Sequence, residues 1–115
     1  MREPSIDLGT FAELQQTAGA DFVVELVDTF LEEAPTMLVE LRNARAGADV
    51  DRFRRAAHSL KSNSHTFGAL GLGALARELE LNGIDADATR DNARLEALES
   101  EYARAAAELK ARRRD

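Results

Sequence analysis

The stretch FRRAAHSLKSNSHTF, residues 53–67, decides the fold. Wound as an α-helix at about 100° per residue, it places Phe53, Ala56, Ala57, Leu60, Ser64 and Phe67 on one side. Arg54, Arg55, His58, Lys61, Ser62 and His65 fall on the other. A helix with one apolar stripe and one charged face needs other helices to cover the stripe. The outer face puts His58 in solvent, among cations and one small residue, with the stripe behind it.

Working outward, the same periodicity recurs on both sides. Residues 7–18 predict a short helix with Asp7 as cap and Leu8, Phe11 and Leu14 on one face, ended by Gly19. Asp21 is the expected cap of a long helix reaching about Ala46. Its stripe is Phe22, Val23, Leu26, Val27, Phe30, Met37, Leu38 and Leu41. Pro35 lies inside that pattern and is expected to kink or split the helix, because it removes an amide donor and crowds the preceding turn. Gly47, Ala48 and Asp49 make a turn into the helix that carries His58, expected over Asp49–Phe67. The glycine-containing segment 68–73 either continues that helix or reverses the chain. A fourth helix follows, with Leu72, Leu75, Ala76 and Leu79 inward, and Asn82-Gly83 stops it. A fifth starts near Thr89, where Leu95, Leu98, Tyr102, Ala105 and Leu109 repeat at spacings of three and four. No segment alternates with period two, so no sheet is predicted. The expectation is all-α: an antiparallel four-helix bundle with a short additional N-terminal helix. Residues 1–5 and 111–115 are expected to fray.

Composition agrees. At 115 residues the chain is read as a single domain, 1–115, with no room for an added kinase or nucleotide-hydrolysing domain. Aromatic residues make up 5%, there is no Trp, and only two prolines occur, Pro4 and Pro35, which favours helices. The absence of cysteine excludes disulfides and thiolate chemistry. A net charge of −6 argues against a nucleic-acid partner. The basic run KARRR, residues 110–114, is read as cations complementing a helix C-terminus. No apolar run reaches membrane-spanning length and residues 1–8 lack a signal-peptide core. A soluble, cytoplasmic protein without membrane contact is expected.

The chemistry-bearing group is His58. Neutral imidazole is a good nucleophile near neutral pH, and phosphoramidate formation needs exposure and a nearby cation rather than a metal of the chain's own. Lys61 at i+3 can supply that charge. Arg54 and His65 lie along the same ridge, and Ser62 leaves room for a docking protein. A surface histidine without a role remains the competing reading on spacing alone. Other readings are weaker. His58 and His65 are two turns apart, not the i, i+4 of helical metal ligands, and no carboxylate completes the set nearby, so no metal is expected. Gly68, Gly71 and Gly73 lack the strand and the Gly-Lys-Ser/Thr of a phosphate loop; Gly68 is read as letting two helices approach closely. Glu96, Glu99 and Glu101 are read as a solvated helix face.

The run His58-Ser59-Leu60-Lys61, then Gly68, then a leucine-rich helix closing in Glu78-Leu79-Glu80, resembles the histidine-containing phosphotransfer (HPt) domain family. Upstream, Phe30-Leu31, Pro35, Leu38 and Leu41 resemble that family's preceding helix, so the resemblance covers nearly the whole chain. Ser62 departs from the family's usual Gly, which bears on the fine fit to a partner. The resemblance implies a phosphorelay intermediate, without kinase activity or cofactor. His58 would take a phosphoryl group from a receiver-domain aspartate and pass it to another, and Lys61 would help electrostatically. Arg54, Ser62 and His65 would meet the partner on a surface built from the second and third helices, with the first at its edge. The partners implied are receiver domains of response regulators or hybrid sensor kinases, the chain itself being a monomer. A third reading, a fragment of a hybrid sensor kinase, is weakened by the start at Met1. The alternative is a helical docking module whose histidine is unused.

Overall fold

The structure is a computed structural model that describes residues 5–113. It has five helices: α1 (Leu8–Ala18), α2 (Ala20–Ala46), α3 (Val50–Thr66), α4 (Leu70–Asn82) and α5 (Ala88–Arg112), with no strand among the described residues. The expected bundle with its short first helix is the observed one. Each interhelical turn has a local cause. The Asp7, Asp49 and Asp87 carboxylates cap α1, α3 and α5 by accepting from Thr10, Arg52 and Thr89 amides, so otherwise orphaned amides find acceptors. Gly68 turns α3 into α4 at φ 80°, a conformation that strains any residue with a Cβ. Space forbids one as well: a Cβ there would lie 2.8 Å from the Asp7 carbonyl oxygen and 3.0 Å from Thr10 Cβ. The close approach expected at Gly68 is therefore to the start of α1, sealed by the Asp7 amide donating to the Gly68 carbonyl at 2.7 Å.

The core is the set of stripes read from the sequence, with corrections. Val23, Val27, Phe30, Ala34, Leu41 and Ala44 are the buried line of α2. Phe22 is not among them; it is 51% exposed, because a helix buries one ridge and Val23 occupies it. Leu8 is likewise exposed while Phe11 is buried. Asp21 does not cap α2. Gly19 alone separates α1 from α2 and holds the cap position without a side-chain bond, leaving Asp21 in the first turn, where its charge still complements the helix dipole.

Pro35 neither ends nor splits α2. Proline removes the amide that would have bonded the Leu31 carbonyl four residues earlier. The Tyr102 hydroxyl of α5 donates to that carbonyl, at a long 3.4 Å, and the Tyr102 ring meets Phe30 edge-on at 6.1 Å between centroids. The neighbouring helix thus supplies a donor where the helix lacks its own.

Polar ties across the bundle were invisible in the sequence. Arg42 of α2 grips Glu99 of α5 with two bonds of 2.7 and 2.8 Å. Glu101, expected on a solvated face, is buried and paired with Arg104, because α4 passes so close that a Cβ on Gly71 would sit 3.3 Å from its carboxylate. Asp91 is fully buried. It accepts the Asp85 amide at 2.9 Å and lies 2.5 Å from Arg45 Nε. That approach is out of line for a hydrogen bond and acts as an ionic contact, anchoring the α4–α5 loop to α2.

At the ends, Ser5 does not fray. Ser5 and Ile6 amides donate to Glu108 at 2.6 and 3.0 Å, and Ile6 is fully buried. Ala111 and Arg112 remain helical, with Lys110 and Arg112 in the last turn of α5. The remaining expectations for the termini, residues 1–4 and 114–115, lie outside the described residues.

Candidate functional site

The α3 stripe is buried as its periodicity dictates: Phe53, Ala56, Ala57, Leu60 and Ser64 within the helix and Phe67 just after it. His58 is thereby forced outward, its side chain 58% exposed. It is not alone. The reversal at Gly68 lays α4 beside α3 and brings Glu80 across from His58. His58 Nδ1 lies 2.6 Å from Glu80 Oε2, and Lys61 Nζ lies 2.7 Å from Glu80 Oε1. One carboxylate thus bridges the histidine and the lysine.

The Lys61 ammonium, followed by His58, holds the Glu80 carboxyl below its ordinary value of 4.5 against the opposing effect of desolvation. A depressed folded-state value means that the contact is fully formed above the ordinary carboxylate range and lost as pH falls through the lower value. At neutral pH Glu80 is an anion and can only accept. His58 Nδ1 must then carry the proton it donates to Glu80, and in the neutral imidazole this leaves the Nε2 lone pair unbonded. A fixed tautomer with one bare ring nitrogen, exposed on a rigid helix, is the arrangement of a nucleophile.

The other sequence-derived residues fall around it. Lys61 is less open than its helical position implied. Its side chain is 23% exposed because Glu80 draws it against α4. Arg54 is exposed and paired with Asp51 at 3.0 Å. Ser62 is exposed, one turn beyond His58, and its carbonyl accepts the Thr66 hydroxyl at 3.1 Å. His65 is also exposed, but its ring rests on α4 where Gly73 leaves space; a Cβ on Gly73 would overlap it. No group of three or more metal-ligating side chains occurs among the described residues, and none of the helices there is long and apolar enough to cross a membrane.

Glu80 is a candidate site residue that the sequence reading quoted within the motif but gave no role. A signal was present. With the reversal centred on Ala69, His58 and Glu80 each stand eleven residues away (69 − 58 and 80 − 69), so a tight helical hairpin sets them side by side.

Comparison with known proteins bears on the family and the fold. The family model of the Hpt domain matches residues 25–108. Sensor protein TorS of Escherichia coli (strain K12) is 32% identical over 100 residues, which cover 83% of this chain and 11% of TorS; the chain spans about a tenth of that relative's length. Among solved structures, histidine-containing phosphotransfer protein B (HptB) from Pseudomonas aeruginosa PAO1 is 30% identical, with a TM-score of 0.85 over 97% of this chain and 96% of that one.

Proposed function

Because the chain belongs to the Hpt domain family, whose members carry phosphoryl groups in two-component phosphorelays, we propose that His58 is the phosphoacceptor and that Glu80 and Lys61 are its immediate helpers. The observation that carries this reading is the His58–Glu80–Lys61 bridge. Nε2 attacks the phosphorus of a receiver's aspartyl phosphate. The N–P bond forms, the P–O bond to the aspartate breaks, and its electron pair leaves with the carboxylate. The imidazole gains positive charge, which the Glu80 anion offsets through Nδ1–H. Passing the group on runs the same step in reverse, with another receiver aspartate attacking. Lys61 keeps Glu80 ionised and adds positive charge near the phosphoryl oxygens. We take residues 1–115 as one such domain, a cytoplasmic monomer without kinase activity of its own, with Arg54, Ser62 and His65 at the rim the receiver meets.

The deciding experiment is incubation with a phosphorylated receiver domain, with phosphoramidate as a small donor. An acid-labile, alkali-stable label on this chain supports the reading; no label from either donor refutes it. Within that assay, Glu80→Ala is expected to slow transfer about tenfold to hundredfold. This is the scale of one lost charge-assisted hydrogen bond converted at 1.36 kcal/mol per factor of ten. Lys61→Ala is expected to slow it by a similar one to two orders of magnitude. Neither side chain lies in the core, so helical circular dichroism and the melting midpoint should hardly move. A wild-type rate in both variants would remove the bridge from the chemistry.

A further inference from the structure

Beside His58, on the flank away from Glu80, α2 and α3 enclose a groove of about 340 Å3. Helical geometry sets the sides: relative to His58, Arg55 and Ser59 rotate one way and Lys61 the other. Met37 of α2 and Ala56 of α3 give the groove apolar lining, Thr36 stands at its α2 rim, and Arg55 and Ser59 form its rim beside the imidazole. Glu40 and Arg52 line it as well and are paired with each other.

The charges of α3 are not equally occupied. Arg52 pairs with Glu40, Arg54 with Asp51 and Lys61 with Glu80. Arg55 has no carboxylate partner among the described residues and reaches Glu40 only as a longer-range attraction. The chain carries a net charge of −6, yet this face presents an exposed arginine without a close carboxylate partner among the described residues, next to an apolar slot and the nucleophile. A receiver's phosphorylated aspartate sits among carboxylates, so the electrostatics repel such a partner broadly and attract it here.

We propose that the groove seats an apolar side chain of the receiver domain while Arg55 pairs with a carboxylate on that receiver, so that Arg55 sets affinity and orientation rather than chemistry. The proposal rests on the phosphotransfer reading. A buried apolar contact with a charged rim is the usual anatomy of a transient interface. Because Arg55 makes no close carboxylate pair among the described residues, docking breaks no such pair.

The test uses the full chain and whichever phosphorylated receiver domain of the source genome loads it fastest in a transfer panel. Arg55→Glu is expected to raise the half-saturating receiver concentration about tenfold at low salt, with the maximal rate within twofold. The gap should narrow as salt screens the pair. Arg55→Lys should recover part of the loss. Thr36→Trp, exposed on α2, fills the groove from its rim and should also raise half-saturation, with normal helicity. If phosphoramidate and the receiver label wild-type protein while Arg55→Glu and Thr36→Trp keep wild-type half-saturation, this inference falls and the phosphotransfer reading stands. If wild-type protein takes no label, the phosphotransfer reading falls first. Concentration-dependent dimerisation that Thr36→Trp abolishes would make a second copy the occupant and would equally overturn the proposal.

Discussion

His58→Gln is expected to abolish phosphoryl acceptance, by about three orders of magnitude or more, the scale on which loss of a covalent nucleophile is felt, while the bundle stays folded. Glutamine keeps a polar side chain of comparable reach that can still meet Glu80, but its amide nitrogen has no available lone pair. The side chain is 58% exposed and its polar partner among the described residues is Glu80, so nothing in the core is disturbed. The measurement is transfer from a phosphorylated receiver, with helical circular dichroism as control. His65→Gln should keep its label. If His58→Gln still accepts at a comparable rate, the assignment is wrong and His65 takes its place, although its ring rests on α4 at Gly73.

The largest effect on stability is expected far from that histidine, at Asp91. Asp91 has no solvent exposure, and its side chain serves Arg45 of α2, Arg94 of its own helix and the Asp85 amide of the α4–α5 loop. Asp91→Asn keeps the shape and an acceptor for the amide but removes the charge that Arg45 and Arg94 answer. Breaking a buried pair from one side typically costs about 3–5 kcal/mol. The lower end applies here, because the Arg45 side chain is only partly buried and can turn toward water. About 3 kcal/mol is a large share of the roughly 5–15 kcal/mol expected for a domain of this kind. Urea unfolding should show a lower midpoint with an unchanged slope. A shift under about 1 kcal/mol would mean that the two arginines are satisfied by water and Asp85 alone.

What was legible in the sequence was what repeats locally. The 3.6-residue spacing of Phe53, Ala56, Ala57, Leu60 and Ser64 reads directly as a buried face, and it pushes His58 and Lys61 outward without reference to the rest of the chain. Asp7 as a cap and Asn82-Gly83 as a stop are equally local. What escaped was what depends on two distant positions meeting. Asp91 looks like any acidic residue in the first turn of a helix until Arg45 arrives from α2. Ser5 looks like part of a fraying end until Glu108 accepts its amide. Phe22 and Val23 are adjacent apolar residues, and only the orientation of α2 chooses between them. Glu80 belongs to both kinds: its chemistry is tertiary, yet the reversal at Gly68 made its place opposite His58 countable.

Tyr102 and Pro35 carry a consequence for how this chain can drift. The Tyr102 hydroxyl donates to the carbonyl that Pro35 leaves without its amide, and burial raises the phenol's pKa, keeping it a donor across the physiological range. The value of the hydroxyl at position 102 is therefore conditional on the residue at position 35. With proline in place, Tyr102→Phe should cost about 0.5 kcal/mol, the weak end for one hydrogen bond. With Pro35→Ala, the helix regains its own donor and the same change should be close to neutral. A double-mutant cycle read by chemical unfolding measures the difference as a coupling energy; a coupling of zero would dissolve the link. The two positions then form one epistatic unit shared between α2 and α5, and the order of substitution decides which histories of the sequence are open.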